Sequence, residues 1–137
     1  MISSVPDEIL AYCKRTYGDV YSFKPASGGC INNGGMLETQ NERLFLKWNS
    51  NDLYPQMFTV EAEGLKLLTT AKALTIPEVW AAFEGEDYAC LVLEYIESAA
   101  PAENFWEHFG TQLAKLHKKS NTTFGLEHDN YMGSLKQ

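Results

Sequence analysis

Basic residues are scarce in this 137-residue chain. Eleven Lys and Arg stand against eighteen Asp and Glu, a formal net charge of −7. That excludes a general nucleic-acid or anionic-membrane binder, because backbone phosphates demand clustered cations. It leaves room for a small pocket holding one phosphorylated ligand. Cysteine is sparse too: Cys13, Cys30 and Cys90 are odd in number and far apart. Neither a disulfide framework nor a zinc knuckle is expected, and a reducing cytoplasm is. Long apolar runs are missing; the longest, Ala89-Cys90-Leu91-Val92-Leu93, is strand-sized against the roughly 20 residues of a membrane span. The opening Met1-Ile2-Ser3-Ser4-Val5-Pro6-Asp7-Glu8 lacks the basic and apolar regions of an export signal, so none is expected. The common catalytic signatures are absent as well. There is no G-x-S-x-G elbow, H-E-x-x-H or metal-ligand cluster. His128-Asp129-Asn130 suggests a catalytic loop, but H-x-D-x-x-x-x-N places Asn where this chain has Ser134. His108 and His117, nine apart, do not face each other on a helix.

What is present reads as one globular unit, 45% hydrophobic and 21% charged, large enough to bury a core. Pro6-Asp7-Glu8 opens a helix, since proline suits a first turn and acids favour its positive end. Ile9, Leu10, Cys13 and Tyr17 then recur at helical spacing until Gly18. Val20–Phe23, Met36–Thr39 and Arg43–Trp48 read as strands of an antiparallel meander. Between the first two lies a ten-residue loop, Ala26 to Gly35, with four glycines. A helix from about Pro55 to Ala71 follows, then strands near Glu78–Phe83 and Tyr88–Glu94 around an acidic turn. Glu97 to Pro101 is a candidate boundary. A helix from about Ala102 to Lys119 comes next, with Phe105, Phe109, Leu113 and Leu116 on one side, and a polar, turn-rich tail closes the chain. The order predicts an α+β fold: a five-stranded antiparallel sheet covered by one inserted helix.

Four features suggest chemistry. The loop Ser27-Gly28-Gly29-Cys30-Ile31-Asn32-Asn33-Gly34 joins two strands, unlike Rossmann or Walker loops. Its glycines would let backbone N–H groups approach phosphate oxygens, or would merely serve a mobile hairpin; the spacing alone leaves both open. In Leu44-Phe45-Leu46-Lys47-Trp48, Lys47 is the only charge inside a strand apolar on both faces, so a carboxylate or phosphate is expected within reach. Glu61 falls amid Met57, Phe58, Gly64, Leu65 and Leu68 on a wheel of about 100° per residue, whereas Glu63 falls on the polar side. The two are expected to pair, poising the ammonium for an α- or β-phosphate or forming a salt bridge without a ligand. The exit of the strand through Glu94, Tyr95 and Ile96 is expected to leave backbone groups unpaired for an adenine edge, or to be an ordinary edge-strand exit. Cys30, after two glycines, is a redox candidate, an accessible thiol able to join two chains, unless it tucks under the sheet.

These residues resemble the fructosamine (ketosamine) kinase family. The resemblance runs through Ser27 to Gly34, Phe45-Leu46-Lys47-Trp48-Asn49, Met57 to Leu65, Leu91 to Tyr95, Gly110 to His117 and Phe124 to Ser134, in collinear order over nearly the whole chain. It implies a protein-kinase-like fold that uses ATP to phosphorylate sugar-derived amines. Residues 1–97 would be the amino-terminal, nucleotide-binding lobe, and 98–137 the connection and first helix of the second lobe. Gly28, Gly29, Cys30, Ile31, Asn32 and Asn33 would cover the phosphates, Lys47 would touch them, Glu61 would fix Lys47, and Glu94 to Ile96 would lie under adenine. The family's H-G-D-L-W-S-G-N segment and metal-holding aspartate have no counterpart in these residues, so Mg²⁺ is expected only with a second lobe and the chain alone is expected to be inactive. An alternative is a non-catalytic nucleotide-binding or interaction module of the same fold. Self-association through Cys30 or an uncovered surface at Phe105 and Phe109 is a further expectation.

Overall fold

The strand that carries Lys47 lies at the centre of the sheet. A computed structural model describes residues 2–28 and 31–136. Strands β1 (Val20–Pro25), β2 (Asn33–Thr39), β3 (Arg43–Ser50), β4 (Val79–Glu84) and β5 (Tyr88–Glu94) are ordered β1-β2-β3-β5-β4, every neighbouring pair antiparallel. Register shifts interrupt the pairing between Val20 and Ser22 and between Val79 and Ala81.

Alternation along β3 sorts its side chains onto two faces. Leu44, Leu46 and Trp48 join Phe23, Leu37, Cys90 and Val92 beneath Ile9 and Cys13 of helix α1 (Asp7–Tyr17). On the other face Phe45 packs with Leu91 and Leu93 beneath Phe58 and Ala62 of helix α2 (Met57–Thr70). The sheet is therefore covered on both sides, and the expectation of one covering helix is corrected. The physical reason lies in β5, where Ala89 to Leu93 are all buried; a strand apolar at every position needs two layers. The Glu8 carboxylate of α1 also accepts from the backbone N–H groups of Glu86 at 2.9 Å, Asp87 at 3.1 Å and Tyr88. It thereby ties the first helix to the β4–β5 turn.

Beyond the sheet, helix α3 (Phe105–His117) buries none of its residues. The stripe expected from its spacing exists, but it is uncovered. Phe105 and Phe109 stack at 6.0 Å and Trp106 stands edge-on to both, with 73% of Trp106 exposed. The tail holds a hairpin that the sequence did not suggest, β6 (Tyr131–Met132) with β7 (Leu135–Lys136). The Tyr131 hydroxyl donates to the Pro55 carbonyl at 2.9 Å, and its ring lies edge-on to Tyr54. Among the described residues no helix is long and apolar enough to cross a membrane.

Cys13 and Cys90 are fully enclosed under α1. Burial pushes the Cys13 thiol up to about 11 and the Cys90 thiol up to about 12; the neighbouring Cys13 adds to the latter. Burial raises the Tyr12 and Tyr17 phenols as well. A folded state that holds these protons more tightly than the unfolded chain keeps its full stability below about pH 9, the ordinary thiol value. It loses stability as pH rises from there through the folded values, by about 1.4 kcal/mol per pH unit per thiol. Urea midpoints measured from pH 8 to about 11 should fall accordingly; a flat profile would show that these thiols titrate as if exposed.

Candidate nucleotide site

The glycine-rich segment is shorter as a loop than its composition suggests. Strand β2 begins at Asn33, so Gly34 and Gly35 belong to the sheet, opposite Lys47 and Leu46. The Ala26 N–H donates to the Gly34 carbonyl at 2.9 Å and closes the neck of the loop. Gly28 has φ +103° with open space around it, a backbone conformation that L side chains rarely adopt. Gly35 serves a different need: a Cβ there would lie 2.3 Å from the Lys24 carbonyl and 2.7 Å from the Phe23 ring. Gly29 and Cys30, two of the expected phosphate-covering residues and the redox candidate among them, lie outside the described residues. Ile31, Asn32, Gly34, Phe45 and Lys47 line a cleft of about 280 Å³ with Ala26, Gly28 and Asn33.

Of the pair expected from the sequence, Lys47 lines this cleft and Glu61 reaches it from α2 as the lysine's partner. Lys47 Nζ donates to Glu61 Oε1 at 2.6 Å and to Oε2 at 2.8 Å. The side chains are 22% and 31% exposed, a partly screened position where an ion pair is neither free in water nor starved of it. An ammonium carries three protons, so one remains for another acceptor. The Phe58 ring lies 5.8 Å from Nζ. Glu61 sits on the inner side of α2 as the wheel predicts and Glu63 is exposed. The arc itself needs correction: Ala62 is buried while Leu68 is exposed. Leu68 opens instead onto a second cleft of about 340 Å³, which Glu61, Ile31 and Tyr131 also line.

Strand β5 ends at Glu94 as expected, but Glu94 itself does not leave backbone groups unpaired. Glu94 still pairs with Leu44, and its N–H donates to the Glu78 carbonyl at 2.8 Å, so that donor is not free for an adenine edge. Tyr95 and Ile96 lie beyond the ladder. The Tyr95 ring receives Arg43 at 5.7 Å, and Ile96 is exposed. The sequence reading also missed Asn49, which falls one residue past the strand expected at Arg43–Trp48; it lies inside β3, buried and bonded to the descending arm of the glycine loop. Its position two residues after Lys47 was the available signal, since i and i+2 share a face. Among the described residues no group of three His, Cys, Asp or Glu is placed to hold a metal ion.

Comparison with known proteins bears on the family and the fold. The family model described as fructosamine kinase matches residues 4–137. The probable ketoamine kinase YniA of Escherichia coli K12 is 31% identical over 121 residues, covering 88% of this chain and 42% of that protein. A probable ketoamine kinase of Vibrio parahaemolyticus is 35% identical over 115 residues, covering 81% and 39%. The chain thus spans about two-fifths of the length of the curated relatives it matches. A crystal structure assigned as a fructosamine-3-kinase from Haemophilus somnus superposes with a TM-score of 0.79 at 23% identity, over 95% of this chain and 44% of the other. That likeness establishes the shared fold.

Proposed function

Because the chain belongs to the fructosamine kinase family, we propose that residues 1–97 form the ATP-binding lobe of a ketoamine kinase, with 98–137 beginning its second lobe. The observation that carries this reading is the two-pronged Lys47–Glu61 pair, which opens on a glycine-lined cleft. The cleft suits a polyphosphate. Gly34 keeps Cβ atoms off its floor beside Lys47, and the remaining ammonium proton has room for a phosphate oxygen. Glu61 holds that ammonium in place. Phe45 offers an apolar wall to the purine, and the backbone of Tyr95 and Ile96 offers polar groups to its edge. ATP held by these residues would supply the transferable phosphoryl group, and Mg²⁺, expected only with a second lobe, would neutralise the developing charge.

The substrate in this reading is a sugar-derived amine, and the setting is cytoplasmic. No residue of this chain is assigned as the base for the attacking hydroxyl or as a Mg²⁺ ligand, so the chain alone binds nucleotide and does not turn over. The uncovered aromatic face of α3 favours self-association of the isolated chain. Calorimetric titration tests the proposal: ATP should bind more tightly than adenosine, and a ketoamine such as fructosyl-lysine should gain no phosphate. Equal affinity for ATP and adenosine would remove the phosphate site, and measurable phosphoryl transfer would overturn the inactivity.

A further inference from the structure

We propose that Asn49 is a positioning residue for the phosphate loop, setting the arm that descends into β2 before any nucleotide arrives. The inference rests on the nucleotide reading above and adds to it a residue that touches no phosphate. Asn49 Nδ2 donates to the Ile31 carbonyl at 2.8 Å and to Asn32 Oδ1 at 2.8 Å. Its Oδ1 accepts from the Ser50 N–H at 2.8 Å. A backbone carbonyl only accepts and a backbone N–H only donates, so the amide has a single orientation here. Aspartate at this position would turn an oxygen against the Ile31 carbonyl, and alanine would leave that carbonyl without its partner. The anchor of the arm is therefore β3 through Asn49; Ile31 also borders the terminal hairpin, where a Cβ added to Gly133 would come within 3.3 Å of its Cδ1.

Asn49 follows Lys47 by two residues on the same strand, so one rigid element carries both the phosphate-facing ammonium and the anchor of the loop above it. Ile31, Asn32, Asn33 and Gly34 all line the cleft with Lys47. An arm ordered in advance has less conformational freedom to lose when phosphates bind. Removing the anchor therefore acts on the part of the affinity that comes from phosphates.

The experiment pairs nucleotide titration with hydrogen exchange on the 137-residue chain. Asn49→Ala should weaken ATP about tenfold, the size of one or two lost hydrogen bonds, while adenosine changes less than about twofold. Exchange at residues 31–34 should speed up about tenfold with the β4–β5 hairpin unchanged. Asn32→Ala removes one of the two loop bonds from the half-buried side and should give about threefold in both readouts, which keeps the test decisive if Asn49→Ala does not fold. Unchanged exchange at 31–34 in the variants, or equal weakening of ATP and adenosine, overturns the proposal. If the unmodified chain binds no ATP, the nucleotide reading falls, and exchange alone then decides whether Asn49 anchors the arm.

Discussion

Lys47→Met is expected to weaken ATP binding about a hundredfold, near 2.7 kcal/mol, the lower part of the range for truncating one member of a desolvated charge pair. The partial exposure of the site puts it in that lower part. Adenosine affinity should stay within about twofold, because the ammonium faces phosphates in this reading and not the purine. The thermal midpoint should move by no more than about 4 °C, corresponding to roughly 1 kcal/mol in a domain of this size. Glu61 is 31% exposed, so its carboxylate regains water when the lysine is gone. Glu61→Gln keeps an acceptor for Lys47 and should cost only about tenfold. Titration of both variants with ATP and adenosine separates these outcomes. Retention of full ATP affinity by Lys47→Met would mean that the ammonium serves the sheet and helix alone.

Gly35→Ala should destabilise the fold by about 3 kcal/mol, at the upper end of overpacking effects. The new methyl would meet the Lys24 carbonyl at 2.3 Å. A backbone oxygen in a paired strand cannot rotate away, so β1 must shift as a whole. Gly28→Ala, where nothing lies within 4 Å, meets only the strain of a positive φ and should cost about 1 kcal/mol. Urea denaturation of the two variants reads the difference directly. A Gly35→Ala chain within about 1 kcal/mol of the parent would place β1 farther from β2 than this register allows.

Those two glycines show where sequence reading stops. Both lie in one glycine-rich run, and composition alone gives them one role. The reason for Gly35 is a ring and a carbonyl on the neighbouring strand, which no local pattern reports. Lys47 and Glu61 were legible because each is a lone charge among apolar neighbours, an anomaly that requires a partner. The second helical layer was legible in principle from Leu91, Val92 and Leu93, which leave neither face of β5 polar. Asn49 was hidden because asparagine near Ser50, Asn51 and Asp52 looks like turn chemistry. The aromatic spacing of α3 predicts its helix and its apolar face correctly. Periodicity describes what a face is made of, and whether another element covers it is a separate fact.

The seating of α2 also bears on how a small molecule could enter the glycine-lined cleft. Phe58 and Ala62 are inserted against Ala89, Leu91 and Leu93, and Glu61 rides on the same turn of helix. Prising that helix outward to break the ion pair would expose a phenylalanine worth roughly 1.5–3 kcal/mol of burial, besides the smaller side chains around it. A compound designed to displace the helix must replace that contact. One shaped to slide between Phe45 and the glycine-lined neck meets no such resistance.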